Sequence, residues 1–145
     1  MSKYKHILVP VDLSAASDAV MQSAIEMGQA LQAALHIIHV HKIHAGNLVE
    51  GGMEDAGALT TQEIAKLKKT LDEFISKYAK EGITMTTAVY SGDPYVEILQ
   101  AADTTSADMI IMGTHGRTGV AHLVIGSVAE NVLRHARVPV MAIRC

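Results

Sequence analysis

The residues best equipped for chemistry form one stretch, Gly113-Thr114-His115-Gly116-Arg117-Thr118-Gly119, with nine residues between Gly116 and a second group, Gly126-Ser127-Val128. Glycines let a backbone turn sharply and approach a ligand closely. A helix opening at Ser127 offers unpaired N–H groups and the positive end of its dipole, and Ser127 adds a hydroxyl donor. Arg117 places a cation at the rim and His115 a further donor. Taken alone, these residues also satisfy simple turns and a helix cap. Their position after an apolar run and before a helix is the one a phosphate cradle requires.

A second group is Pro10-Val11-Asp12-Leu13-Ser14, which follows the first apolar run; the next glycine is Gly28. A dinucleotide fingerprint needs a glycine-rich turn at that point, so it is excluded, and a flavodoxin-like flavin site, whose phosphate loop follows the first strand, ranks behind the other readings. No Gly-Lys-Ser/Thr exists for a Walker A loop, and no Gly-x-Ser-x-Gly for a nucleophile elbow. Asp12 also suits an N-cap or turn before the first helix, and the two roles are compatible. His36, His39, His41 and His44 invite a metal reading. Only His39 and His41 share a strand face, His36 points oppositely, and no carboxylate or cysteine accompanies them, so solvated or core-edge imidazoles are expected and no metal site.

The elements that position these groups follow from hydrophobic spacing. Short apolar runs at Ile7–Val11, Leu35–Val40, Ile83–Tyr90 (alternating), Met109–Met112 and Val138–Ile143 read as five strands. Between them, Val20, Ala24, Met27 and Leu31 mark a helix. Ile64, Leu67, Leu71, Phe74 or Ile75, and Tyr78 mark a second, with a Thr60/Glu63 capping box and Gly82 ending it. Asp93-Pro94 starts a third with Val96, Leu99 and Ala102, and residues near Ser127 to Ala136 form the last. Lys42 to about Ala58, with Gly46, Gly51, Gly52 and Gly57, reads as a loop. The expected fold class is α/β: a single-domain, five-stranded, doubly wound parallel sheet with helices on both faces, spanning 1–145. Its ligand belongs beyond the carboxyl ends of the strands, where the winding reverses.

The chain has 145 residues, 49% of them hydrophobic, enough for one well-buried core. Twelve Lys and Arg against 15 Asp and Glu leave a net charge of −3, which gives no broad footprint for nucleic acid. Four Tyr, one Phe and no Trp supply no stacking platform for single strands. The single cysteine, Cys145, forms no intrachain disulfide, and no apolar run suits a signal peptide or membrane span, so a cytoplasmic protein without membrane insertion is expected. The lysines of the second helix, Lys66 to Lys80, read as a solvated face, and the scattered methionines as packing.

Gly113, Gly116, Gly126 and Ser127 match at every position the Gly-x2-Gly-x9-Gly-Ser/Thr motif of the universal stress proteins, which the chain resembles along its length, from Ile7-Leu8-Val9-Pro10-Val11-Asp12 to Val138-Pro139-Val140-Met141-Ala142-Ile143. The resemblance implies an adenine-nucleotide alpha hydrolase-like fold that binds ATP, with Mg2+ held mainly by the phosphates. Pro10, Val11 and Asp12 would line the adenosine pocket, Asp12 accepting from ribose hydroxyls, and Val40 would meet adenine through its backbone. Gly113, Gly116, Gly126, Ser127 and Val128 would hold the phosphates, largely by main-chain N–H groups, Met112 would also belong to the nucleotide site, and His115 and Arg117 lie at loop positions that vary in the family.

Two lines suggest a homodimer through Val138 to Ile143: an apolar edge strand promotes association, and family members commonly pair there. The expected function is a regulatory ATP-binding protein of the stress response whose nucleotide sets its affinity for an unknown protein partner. The alternatives are a slow ATPase or other enzyme acting on the nucleotide, and a nucleotide-free interaction module. Against an enzyme, the His-x-Gly-His of related transferases and the Ser-Gly-Gly of pyrophosphatases are missing after the first strand, and His115 is the only general base by type. Against a nucleotide-free module, all four motif positions are present.

Overall fold

In a computed structural model, which describes residues 2–43, 59–79, 82–115 and 125–144, the apolar runs become five parallel strands: β1 (His6–Pro10), β2 (Ala34–Lys42), β3 (Met85–Gly92), β4 (Met109–Gly113) and β5 (Val140–Ile143). The helices are α1 (Ala16–Leu31), α2 (Thr61–Ser76), α3 (Pro94–Thr104) and α4 (Ser127–His135). Strand order is β3-β2-β1-β4-β5, with Leu8 beside both His36 and Ile110. The chain winds outward from β1 to β3, returns to β4 on the other side of β1, and ends at β5. Right-handed crossovers in both directions place the helices on opposite faces.

Two cores result, which explains why the central strands are continuously apolar rather than alternating. Ile7, Val9, Leu35, Ile37 and Ile111 pack with Val20, Met21 and Ala24 of α1 and Leu71 and Ile75 of α2. Leu8, Ile38, Ile110 and Met112 pack with Ile98 and Ala101 of α3 and Ala129 and Val132 of α4. The doubly wound α/β arrangement expected above is therefore present.

Several boundaries move. β2 runs on through His41 and Lys42, and β3 follows it to Gly92, because each added residue finds a partner in the other strand. β1 ends at Pro10, although the Val11 N–H still donates to Ile38 O at 2.8 Å. β5 begins after Pro139, whose carbonyl accepts from Ile110 N at 2.9 Å. The expected face of α1 lies on the core, with Val20 and Ala24 buried and Met27 and Leu31 packed against it, and widens to Met21, Ile25 and Gly28; α3 instead buries Ile98, Ala101 and Ala102 while Val96 is exposed. In α2 the expected face is buried at Leu71 and Ile75, but Ile64 is exposed. The loop expected from Lys42 to Ala58 lies outside the described residues from position 44 onward.

The helix ends are resolved differently at the two rims of the sheet. Where helices return toward strands, Gln32 (φ 54°) after α1 and Ser106 (φ 53°) after α3 take left-handed conformations, as C-terminal turns demand, and Gly82 (φ 89°) lies in the turn after α2, which itself ends at Ser76. At the opposite rim α2 carries its full capping box: Thr60 Oγ1 accepts from Glu63 N at 3.1 Å and Glu63 Oε2 accepts from Thr60 N at 2.8 Å. Those bonds hold Glu63 below the usual carboxylate range. The other three helices, α1, α3 and α4, have no side-chain N-cap bond, Asp93 of α3 included.

Of the histidine cluster, His36 bonds through Nε2 to His6 Nδ1 at 3.1 Å and through Nδ1 to Thr86 Oγ1 at 2.6 Å. Ring centroids 5.3 Å apart, with the facing nitrogens taking up most of that distance, put the imidazoles edge to edge rather than face to face. One proton fits on that line and a second does not. Burial, and then the charge of His6, lower the His36 pKa below its ordinary 6.5. A depressed histidine pKa means that the unfolded chain binds the proton more tightly, so this contribution to stability is complete above about pH 6.5 and is lost as pH falls from there through the lowered value. Asp72, held low chiefly by Lys68, and Asp108, held low chiefly by the Lys5 N–H, titrate below this window. The melting temperature is expected to drop between pH 7 and 5, and to drop less in His36→Asn. Parallel melting curves for the two proteins would remove His36 as the cause.

Candidate functional site

The ends of β1, β2 and β4 and the starts of α1, α3 and α4 enclose a cavity of about 310 Å³. It sits at the switch point between β1 and β4, where doubly wound sheets hold ligands. One wall grows from the end of β1. Pro10 has no N–H to continue the ladder, and Val11 is followed by Asp12, whose Oδ1 accepts from Ser14 N (2.9 Å), Ser14 Oγ (2.6 Å) and Ser17 Oγ (3.1 Å). These bonds hold a tight reversal in which Leu13, a non-glycine residue, takes φ 65°. Asp12 is thus a turn-organising residue and not the N-cap, which is Ala15.

The opposite wall grows from the end of β4. Thr114, buried, donates its N–H to Ile143 O at 2.9 Å and accepts from Gly126 N at 2.6 Å. Its hydroxyl pairs with His115 Nδ1 at 2.9 Å. Gly126 is the N-cap of α4, and a Cβ there would stand 2.9 Å from Thr114 O, closer than a side chain tolerates against backbone. Only glycine lets the start of α4 lie this near the end of β4. With no side-chain cap, the first N–H groups of α4 are available to an anion, while Arg134 and His135 complement the dipole at the far end.

Ten of the residues expected at the site line this cavity: Pro10, Val11, Asp12, Val40, Met112, Gly113, His115, Gly126, Ser127 and Val128. Gly116 and Arg117 lie outside the described residues. The cavity also includes Ser17, His39, His41, Lys42, Pro94, Ile98, Thr114 and Ala129. His39 was expected at the core edge; it is buried, with Nδ1 3.0 Å from Val11 O. Lys42 brings a cation from the extra length of β2. Ile98 and Ala129 read as ordinary helix core, and nothing in their spacing marks them. Ser17 could have been found from its place in the first turn of the helix that follows Asp12.

Chemically, the described residues of the cavity join an apolar part, with Val11, Val40, Ile98 and Met112, to a polar part with one carboxylate, one ammonium, three imidazoles and the main chain of Gly126 and Ser127. Among the described residues no cluster of three metal-ligating side chains occurs, and no helix is long and apolar enough to cross a membrane.

A model of the universal stress protein family matches residues 3–144. A universal stress protein of Methanocaldococcus jannaschii, MJ0531, is 32% identical over 147 residues, covering 97% of this chain and 82% of its own. Among solved structures, the universal stress protein UspA from Lactobacillus plantarum superposes with a TM-score of 0.80 at 26% identity, covering 99% of this chain and 100% of its own. The universal stress protein from Archaeoglobus fulgidus in complex with dAMP does so with a TM-score of 0.69 at 26% identity, covering 98% and 99%. Matched in sequence and in fold over nearly its whole length, the chain belongs to the universal stress protein family.

Proposed function

We propose that this protein binds an adenine nucleotide, ATP with Mg2+, and acts as a nucleotide-dependent regulator in the stress response. The observation that carries the reading is the convergence of four distant segments, around Pro10–Asp12, Val40, Met112–His115 and Gly126–Val128, on one cavity at the switch point. The complex of the Archaeoglobus relative with dAMP supports the nucleotide class. In this reading the apolar part takes adenine, with Val40 beside it. Asp12 accepts from the ribose hydroxyls, its carboxylate positioned by the three donors of Ser14 and Ser17. Phosphates meet the N–H groups of Ser127 and Val128 and the Ser127 hydroxyl, at a helix start that Gly126 brings close to the end of β4. Lys42, His115 and Arg117 supply further positive charge or donors, and Mg2+ is held by phosphate oxygens and water.

In the same reading the protein is a cytoplasmic homodimer. β5 is the last strand in the sheet order, and its outer edge receives a second copy. Nucleotide occupancy then sets the affinity for a protein partner. Native mass spectrometry tests both parts at once. The expected species is two chains carrying two adenine nucleotides, the nucleotide being identified after release. If no adenine nucleotide is released and calorimetric titration with ATP gives no heat, the nucleotide reading fails; a single-chain mass at micromolar concentration removes the dimer.

A further inference from the structure

We propose that His39 is a positioning residue of this site: its imidazole holds the Val11 carbonyl and thereby sets the angle at which Asp12 meets the ribose. The proposal rests on the nucleotide reading above. His39 is only 5% exposed, and a buried imidazole is costly unless its nitrogens are used. Its Nδ1 lies 3.0 Å from Val11 O, an oxygen that can only accept, so the proton sits on Nδ1. The Val11 N–H donates to Ile38 O at 2.8 Å, which leaves Val11 gripped on both sides.

The place of this grip is informative. The paired register of β1 and β2 ends at Pro10 beside Ile38, and beyond it the strands part to form the cavity. Where the ladder leaves off, a side chain of β2 provides the tie that keeps the end of β1 in place. Asp12 is the next residue, and the Leu13 reversal follows at once. Freed of His39, the Val11 carbonyl loses its tie, and the reversal that Asp12 holds through Ser14 and Ser17 can tilt as a unit against β2, so that a carboxylate whose value to the ligand lies in direction loses that direction.

The test exploits the position of the donor. In His39→Asn the amide nitrogen is as many bonds from Cβ as Nδ1 is, so the tie is kept. His39→Gln moves the donor one carbon further out, and His39→Leu deletes it. Each variant is titrated with ATP and with 2′,3′-dideoxy-ATP, which lacks the hydroxyls Asp12 would read. The wild type should prefer ATP, and His39→Asn should stay within about threefold of it. His39→Leu and His39→Gln should lose about tenfold for ATP, the worth of one good hydrogen bond, with little change for the dideoxy nucleotide. A general loss of packing would weaken both nucleotides alike, and an unaltered preference in folded His39→Leu overturns the proposal. Should His39→Leu not fold, equal behaviour of the Asn and Gln variants overturns it. Equal wild-type affinity for the two nucleotides also defeats it, since Asp12 would not be reading the sugar, whereas a wild type that binds neither defeats the nucleotide reading itself.

Discussion

Gly126→Ala is expected to remove most nucleotide affinity while leaving the fold in place. The added Cβ would come within 2.9 Å of Thr114 O, and both the obstacle and the residue that must yield are backbone. Relief means moving the start of α4 away from the end of β4, which breaks the 2.6 Å bond from Gly126 N and re-aims the first N–H groups of the helix. Strain and lost donors of this kind amount to about 2 kcal/mol, or roughly 30-fold in dissociation constant. Gly28→Ala makes the control. There the new Cβ meets the Leu35 Cδ2 at 3.1 Å, the movable end of a side chain, on the far side of the protein from the cavity lining. Calorimetric titration with ATP, alongside circular dichroism to verify folding, decides the matter: if Gly126→Ala binds as the wild type does, the start of α4 is not where phosphates lie.

Asp12 separates stability from binding. Asp12→Ala strips the acceptor from Ser14 N, Ser14 Oγ and Ser17 Oγ, and Ser17 is 1% exposed, so water cannot readily replace it. The expected destabilisation is about 3 kcal/mol, lowering the melting temperature by roughly 10 °C. Asp12→Asn retains an oxygen for those donors and should cost no more than about 1 kcal/mol. It turns the second oxygen into a donor, however, and a ribose hydroxyl that has lost its acceptor should weaken ATP binding by about tenfold or more. Thermal melts and ATP titrations of both variants check this. Full affinity in Asp12→Asn would assign the carboxylate to the turn alone.

Much of this architecture can be read from the chain itself. Ile7 to Val9 and Ile110 to Met112 are apolar without alternation because helices cover both of their faces, and that pattern points to parallel strands. The capping box at Thr60 and Glu63 is equally local. The face of α3 is less legible: alanine fits core and surface alike, so Ile98 is outvoted by a stripe through Val96, and in α1 the same ambiguity hides how far the core face widens to Met21 and Ile25. The glycines and Asp12 stand out because their types are unusual where they occur. Lys42 and His39 do not, since their roles depend on where β2 outlasts β1, a property of the pairing between strands and not of either strand.

The two rims of the sheet have separate duties. At one, left-handed Gln32 and Ser106 close α1 and α3 in tight reversals that leave little room for altered length. At the other, the N-cap residues of α1, α3 and α4 make no side-chain cap bond. Descendants of this chain can therefore acquire new ligand tastes by rewriting the segments after β1, β2 and β4, while the strand alignment is inherited untouched from below.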